Sequence, residues 1–327
     1  MSSFRWGILG TGGIAQAFVE DLKLAPGHSV GAVGSRTLSK ASAFAKNISG
    51  ATAHGSYQDL VDDSSLDAIY VATPHPMHLE HTLLAVNAGK PTLCEKPFAI
   101  SSTQAQLMVD VAARNNVALL EAMWTRYLPH IAQLREILSS GVLGEIQTVE
   151  ADHGQRLADQ NIARLIDPEL GGGALLDLGI YPVSFAHLIL GTPSAITARA
   201  VKTDRGVDAQ TSAIFDYANG AQAVINTTMI AQTPCRAVVC GFLGRLEIDR
   251  TFYTPTAMRV VLFDGSTTEY SSTYVGHGLR EQAIEMARVV RVGLLQSPLM
   301  PWSETIAVMK TMDEIRKQIG LQYSSDN

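Results

Sequence analysis

The chain has 327 residues, with 25 Lys and Arg against 31 Asp and Glu, and a formal net charge of −6 at pH 7. With 46% apolar and 17% charged residues it is rich enough to bury a core, which excludes an intrinsically disordered chain. It also lacks the excess of cations that holds nucleic acid or an anionic membrane.

At roughly 100–200 residues per domain, the length suggests two domains. The first residues, MSSFRWGILG, enter a strand almost at once. They lack the basic start, apolar stretch and small-residue cleavage site of a signal peptide, so a cytoplasmic protein is expected. Apolar runs at 4–9, 29–33, 68–72, 92–94 and 117–122 alternate with helical patterns at 14–24, 38–47, 78–88 and 103–115. Gly89 stands as a helix stop. Strand–helix alternation predicts a parallel sheet with helices on both faces, a doubly wound α/β domain over residues 1–122.

The pattern changes over residues 123–327. A helix at 130–139 leads through Gly141 and Gly144 into a strand-like run at 145–152. The window 171–191 is the most membrane-like, but it carries Asp177, Pro182 and His187. A mid-span Asp is costly in a bilayer, so a buried helix and no membrane partner are expected. Strand candidates follow at 195–202, 209–217, 221–230, 237–240, 245–249 and 258–262, with hairpin pairs Asn219-Gly220 and Asp264-Gly265. Leu246-Glu247-Ile248-Asp249 alternates as a strand with one wet face. Successive strands without helices between them predict an α+β domain with an open, mainly antiparallel sheet. Helices at 279–294 and 303–319 close the chain, with Ser303 as the expected cap, and the last helix is expected to pack back on the first domain. Cys94, Cys235 and Cys240 sit in strand-like apolar contexts without CxxC spacing, so they read as buried small hydrophobes rather than a disulfide or metal site.

Gly10-Thr11-Gly12-Gly13-Ile14-Ala15 follows the first strand and opens a helix. This matches the dinucleotide pattern G-x-G-x-x-G/A. Gly10 permits the tight turn, Gly12 leaves room for a pyrophosphate, and Ala15 lets helix and strand pack closely. The helix N-terminus then offers N–H groups and a positive dipole end. An NAD site usually ends its second strand with an acid that holds the ribose 2′-OH. Here that strand ends Val33-Gly34-Ser35-Arg36, with Lys40 one turn later. Ser35 and Arg36 can donate to a 2′-phosphate and Lys40 adds charge, which favours NADP over NAD. The plainer alternative is two solvated cations, although a cation at a helix start opposes the dipole.

Three further segments carry chemistry-bearing residues. They are Thr73-Pro74-His75-Pro76-Met77-His78, Cys94-Glu95-Lys96-Pro97, and residues 170–181 with Asp177 and Tyr181. The first two lie in loops at the carboxyl ends of parallel strands, where such sheets bind ligands, so Thr73, Pro74, His75, His78, Glu95 and Lys96 are candidate cofactor contacts. Asp177 and Tyr181 are four apart and share a helix face. Gly173, Ala174 and Gly179 are small enough for a ligand or backbone to come close. An alcohol–carbonyl oxidoreductase needs a group that takes the hydroxyl proton as hydride leaves. A tyrosine does this poorly at its ordinary pKa of about 10. A neighbouring Lys ammonium favours the phenolate, so Lys96 can activate Tyr181 while Asp177 orients Lys96 or the substrate. A solvated Lys, a helix Asp on a backbone group and a packed Tyr are the plainer alternatives. A non-catalytic NADP(H) sensor would keep the glycine turn but would have no use for this trio. A third possibility is a sugar oxidoreductase that keeps its NADP tightly bound.

With these residues in view, the sequence resembles the Gfo/Idh/MocA oxidoreductases along essentially its whole length. The resemblance rests on the 10–15 turn, Glu95-Lys96-Pro97 and the 171–181 segment. More narrowly, residues 121–127, 177–181 and 297–316 resemble the dihydrodiol dehydrogenase branch. That resemblance implies an NADP-dependent enzyme acting on a CH–OH group of a diol, polyol or sugar. It implies a Rossmann domain and an open sheet whose face forms a homodimer or homotetramer interface. Lys96 matches the family's catalytic Lys, Asp177 its acid, and Tyr181 the general acid/base of that branch, where many sugar dehydrogenases have His. Trp124 and Arg126 match positions near the nicotinamide, and His75 a position beside cofactor and substrate. A cis Lys96–Pro97 bond is expected. One departure is Ala151-Asp152-His153-Gly154, where the branch typically reads Ala-Asp-Phe-Gly. Either His153 makes a substrate pocket more polar, favouring a sugar or polyol, or it is a packed histidine.

Overall fold

The computed structural model describes residues 3–157 and 162–324. In chain order the first strands and helices are β1 (Phe4–Leu9), α1 (Gly13–Leu22), β2 (His28–Gly34), α2 (Leu38–Ala45), β3 (Thr52–His54), α3 (Tyr57–Val61), β4 (Ala68–Val71), α4 (His78–Asn87), β5 (Thr92–Glu95), α5 (Ser102–Asn115) and β6 (Leu119–Ala122). There follow α6 (Pro129–Ser139), β7 (Ile146–Gly154), α7 (Ala163–Ile166), α8 (Ile180–Leu190), β8 (Ala195–Lys202), β9 (Asp208–Asp216), β10 (Gln222–Thr228), β11 (Ala237–Gly241), β12 (Gly244–Ile248), β13 (Met258–Leu262), β14 (Thr267–Tyr270), α9 (Leu279–Arg291) and α10 (Trp302–Gln318). Two compact units result. Unit 1 takes residues 1–99, 103–127 and 276–305, and unit 2 takes 100–102, 128–275 and 306–327.

Among the described residues, unit 1 holds a six-stranded sheet in the order β3-β2-β1-β4-β5-β6, with every pair parallel. Its central strands are buried along their length, as expected of strands covered on both faces. The order reverses between β1 and β4, so the loops after those strands diverge and leave a crevice at their carboxyl ends. Trp6, Ile8, Phe18, Tyr70 and Leu93 form the core, with the Phe18 and Tyr70 rings stacked at 3.9 Å. α9 joins the same core through Leu279, Ala283 and Met286, which is why a late segment belongs to unit 1. Buried Asp21 of α1 fixes the start of α9. Its carboxylate accepts from the N–H groups of His277, Gly278 and Arg280 at 2.8–3.0 Å.

Unit 2 holds an eight-stranded sheet in the order β14-β13-β12-β11-β7-β10-β9-β8. All neighbours are antiparallel except β7 and β10. β9 shows why one face is wet. Thr211, Ala213 and Phe215 are buried, whereas Ser212 and Ile214 are exposed. The apolar stretch Pro168–Leu190 covers the other face and is buried over residues 171–187, so its length and hydropathy serve a core. Gly220 and Gly265, each at φ +87°, turn the β9–β10 and β13–β14 hairpins.

Several expectations are corrected. The segment expected to be one helix over 171–191 opens instead with Gly171 at φ +69° and Gly173 at φ +120°, followed by a π-helical turn over Leu175–Gly179, and only then α8. Ser303 does not cap the last helix. α10 already begins at Trp302, and the Pro301 carbonyl accepts the first helical N–H bonds from Glu304 and Thr305. Cys235 is buried but lies outside a strand with a left-handed backbone, φ +53°, and Cys240 is only half-buried. All three cysteines are free thiols.

Candidate active site

The glycine turn of unit 1 is shaped for a pyrophosphate. Gly10 sits at φ +111°, and a Cβ there would lie 2.9 Å from the Ala72 carbonyl, so only glycine fits. A Cβ on Gly12 would approach only the Ala72 oxygen, at 4.0 Å, and one on Gly13 would meet nothing. Both positions border open space, where a ligand can come against the backbone. Thr11, Gly12, Gly13 and Ile14 form the accessible lip of the turn, while Ala15 is fully buried behind it. The first turn of α1 carries no acid, so its N–H groups and dipole face outward uncompensated. These residues fit a dinucleotide.

At the end of β2, Ser35 is buried and its N–H bonds the His54 carbonyl at 3.2 Å. Arg36 and Lys40 are exposed at the start of α2, whose first turn also lacks an acid. The Arg36 charge reaches Tyr57 and His81 and acts downward on the pKa of each, although burial is the larger influence on both. Those two rings meet edge-on at 4.6 Å, and His81 Nδ1 pairs with Thr73 Oγ1 at 2.9 Å. A cationic corner therefore stands beside the loop after β4.

That loop is braced from within. Pro74 leads into a single helical turn, His75–Met77. His78 is fully buried, with Nδ1 2.8 Å from the Pro97 carbonyl and Nε2 2.8 Å from the Thr73 carbonyl. Burial pulls its pKa down to about 4, against the upward pull of those carbonyls. His78, expected as a cofactor contact, instead joins the loop after β4 to the loop after β5. His75 is buried beside it, the two rings 5.7 Å apart. Glu95, also expected at the cofactor, is buried. Its carboxylate accepts from the Tyr70 hydroxyl and, at 3.1 Å, from the Lys96 N–H, which braces the backbone that carries Lys96. The Lys96–Pro97 bond is cis. Trp124 and Arg126 lie in the turn Trp124–Tyr127 after β6. Arg126 is buried and donates to Glu304 at 2.7 Å. Beside it, burial pushes Glu121 up to about 7, and one of its oxygens accepts from Thr305 at 2.8 Å.

In unit 2, Asp177 and Tyr181 flank the junction between the π turn and α8. The Tyr181 ring lies 4.7 Å from Tyr253 and 5.2 Å from His153, and the His153 and Tyr253 rings stack at 4.0 Å. Gln155 donates to the Tyr253 hydroxyl and to His153 Nε2, both at 2.9 Å. His153 Nε2 therefore accepts, and Nδ1 donates to the Leu178 carbonyl at 3.1 Å. His153 is 1% exposed, and both of its ring nitrogens are bonded to protein, which favours the packed reading. Burial, before the nearby Cys235, Tyr181 and Asp177, pushes the Tyr253 phenol up.

Two partners of this cluster had no signal in the sequence. One is Tyr253. The other is Arg164, which donates to Asp177 at 2.8 Å. The glycines of the segment make room for neighbouring protein atoms, backbone at Gly172 and side chains at Gly173 and Gly179. A Cβ on Gly172 would stand 2.8 Å from the Leu165 carbonyl, one on Gly173 would collide with Asp208 Oδ1, and one on Gly179 would lie 3.1 Å from Thr227. Asp208 is fully buried and accepts the Leu175 N–H at 2.8 Å, which anchors the first residue of the π turn.

Two family models match the chain. The oxidoreductase family model with an NAD-binding Rossmann fold covers residues 4–123, and the GFO/IDH/MocA C-terminal domain model covers 131–247. A trans-1,2-dihydrobenzene-1,2-diol dehydrogenase of Xenopus tropicalis is 35% identical, over 98% of this chain and 99% of its own. A D-xylose 1-dehydrogenase (NADP(+)) of Hypocrea jecorina is 34% identical, over 98% and 93%. Among solved structures, KijD10, a 3-ketoreductase from Actinomadura kijaniata in complex with NADP and TDP-benzene, is similar with a TM-score of 0.85. It is 27% identical, over 97% of this chain and 98% of its own.

Proposed function

The chain belongs to the Gfo/Idh/MocA oxidoreductase family, and we propose that it is an NADP-dependent enzyme interconverting the CH–OH and C=O groups of a sugar, polyol or diol. The nicotinamide, when bound, supplies or accepts the hydride. The pyrophosphate falls to the N–H groups of Gly12, Gly13 and Ile14, and a 2′-phosphate to Ser35, Arg36 and Lys40. In this reading Tyr181 gives and takes the hydroxyl proton. The Lys96 ammonium favours the phenolate form and binds the reacting oxygen. Asp177 orients these groups.

The single observation that carries the reading is the set Asp177–Tyr181–Tyr253–His153. A phenol is packed among aromatic rings, four residues after a carboxylate that lies in the adjoining π turn. Such preorganisation suits proton transfer more than it suits a sensor, which has no proton to move. Relatives that carry sugar and diol dehydrogenase names support the substrate class.

The test follows nicotinamide absorbance with NADP and NAD across aldoses that include D-xylose, polyols and trans-dihydrodiols, and in reverse with ketoaldehydes. Turnover with at least one sugar or diol, faster with NADP, is the expected result. Tight NADPH binding with no turnover across the panel would replace the enzyme with a sensor.

The same reading assigns self-association to the wet face of the eight-stranded sheet. Val224 and Ile214 pair across β10 and β9, and each is more than 40% exposed. Sedimentation is expected to give a dimer or tetramer mass, and Val224→Lys a smaller one. A wild-type monomer would remove the assignment.

A further inference from the structure

Arg164 lies in α7 and is joined to the proposed acid–base helix by a bond that its sequence position did not foretell. Its Nη1 donates to Asp177 Oδ1 at 2.8 Å. The partners differ in setting, the Asp177 side chain being 10% exposed and that of Arg164 48%. A carboxylate so buried keeps its charge at a cost unless a cation or donor offsets it. The approach is built into the chain. Gly173 N–H donates to the Leu165 carbonyl at 2.8 Å and Gly172 N–H to the Asp167 carbonyl at 3.0 Å, binding α7 to the glycine run. Gly172 leaves the space that this requires, since a Cβ there would strike the Leu165 and Asp167 carbonyls.

Asp177 and Tyr181 both act electrostatically on Tyr253, whose ring is 4.7 Å from that of Tyr181. The Asp177 charge therefore belongs to the same cluster as the Tyr181 phenol. We propose that Arg164 is a positioning residue for proton transfer at Tyr181, pinning the Asp177 carboxylate and cancelling its charge beside the phenol. This rests on the reading of Tyr181 as the proton-transfer group. An uncompensated carboxylate holds a nearby phenol in its neutral form, and a paired one releases it. Among the described residues of unit 2, the titratable groups around Tyr181 include His153, Tyr253 and Asp177, with Cys235 against Tyr253 and Arg164 on Asp177.

The experiment is an NMR titration of the full-length protein labelled with carbon-13 at tyrosine Cζ, the Tyr181 signal being the one lost in Tyr181→Phe. Arg164→Gln is expected to raise the Tyr181 midpoint by roughly one pH unit, the order of effect of a nearby, partly screened unit charge. Arg164→Lys keeps the charge and should move it by less than half as much. Arg164→Gln combined with Asp177→Asn should return it close to the wild-type value, because the charge that Arg164 offsets is gone. A purely structural arginine would not be rescued by neutralising Asp177. An unmoved midpoint in Arg164→Gln, a shift that survives Asp177→Asn, or a Tyr181 that stays neutral to the alkaline limit of folding in every variant would each overturn the proposal. No substrate enters the titration. A wild-type rate in Tyr181→Phe would sink the functional reading by a separate measurement, while the titration still reports on Arg164.

Discussion

Tyr181→Phe is expected to bind NADPH within about twofold of the wild type and to lose kcat by roughly 10²–10⁴-fold, the range that a positioned proton-transfer group contributes. The substitution removes one oxygen and keeps the ring. The contacts to Tyr253 at 4.7 Å and His153 at 5.2 Å are contacts of rings, so the cluster should stay packed and the melting temperature should change little. KM should move less than kcat, because the lost interaction belongs to the transition state more than to the bound alcohol. Stopped-flow NADPH formation with whichever sugar or diol the substrate panel identifies, together with fluorescence titration of NADPH, separates the two effects. A kcat within threefold of wild type would remove Tyr181 from the reaction and leave it as a packing residue.

How much of this was legible beforehand depended on whether the signal was local. β1, β4 and β5 are buried nearly throughout and are dominated by apolar residues, β4 without interruption and β1 and β5 broken only by Arg5 in the one and by Thr92 and Glu95 in the other, so they stand out in the sequence. β3 and β14 were not foreseen. Both are short edge strands with exposed or half-buried residues, and Thr267–Tyr270 carries no apolar alternation at all. The π turn over Leu175–Gly179 also left no trace. Its cause is tertiary, with Asp208 of β9 holding the Leu175 N–H and Thr227 of β10 bonding the Ala174 carbonyl at 3.3 Å.

The site divides in the same way. The glycine turn and the Asp177–Tyr181 spacing are local patterns and were readable. Arg164 stands 13 residues before Asp177 across a turn, and Tyr253 comes from 98 residues beyond Gln155, so no spacing could announce them. His153 shows the limit from the other side. A histidine on a strand is equally at home in a pocket or a core, and its bonds to Leu178 and Gln155 come from residues that no local pattern brings together with it. His78 and Glu95 had the right address, in loops at the carboxyl ends of strands, but their side chains turn inward to hold those loops.

The proposed preference for NADP is expected to collapse in Arg36→Asp combined with Lys40→Ala, with the ratio of kcat/KM for NADP over NAD falling by at least about 100-fold. Each charge-assisted bond to a phosphate is worth roughly 1.5–3 kcal/mol, and two such groups leave together. The new carboxylate at the end of β2 would also repel a 2′-phosphate and can accept a bond from a ribose 2′-OH, as the acid of an NAD site does. Stability should not suffer. Both side chains are exposed at the N-terminal end of α2, where no acid balances them, and removing cations from a helix start relieves an unfavourable dipole interaction of about 0.3–1 kcal/mol. Steady-state kinetics with both cofactors, alongside a melting curve, checks the two statements independently. A ratio that stays put in a folded variant would leave Ser35 as the remaining donor at that corner. Since Ser35 is 4% exposed and carries no charge, it could not by itself support a preference built on one extra phosphate. The cofactor choice would then have to be read from NAD, and the cations at 36 and 40 from the solvent they face.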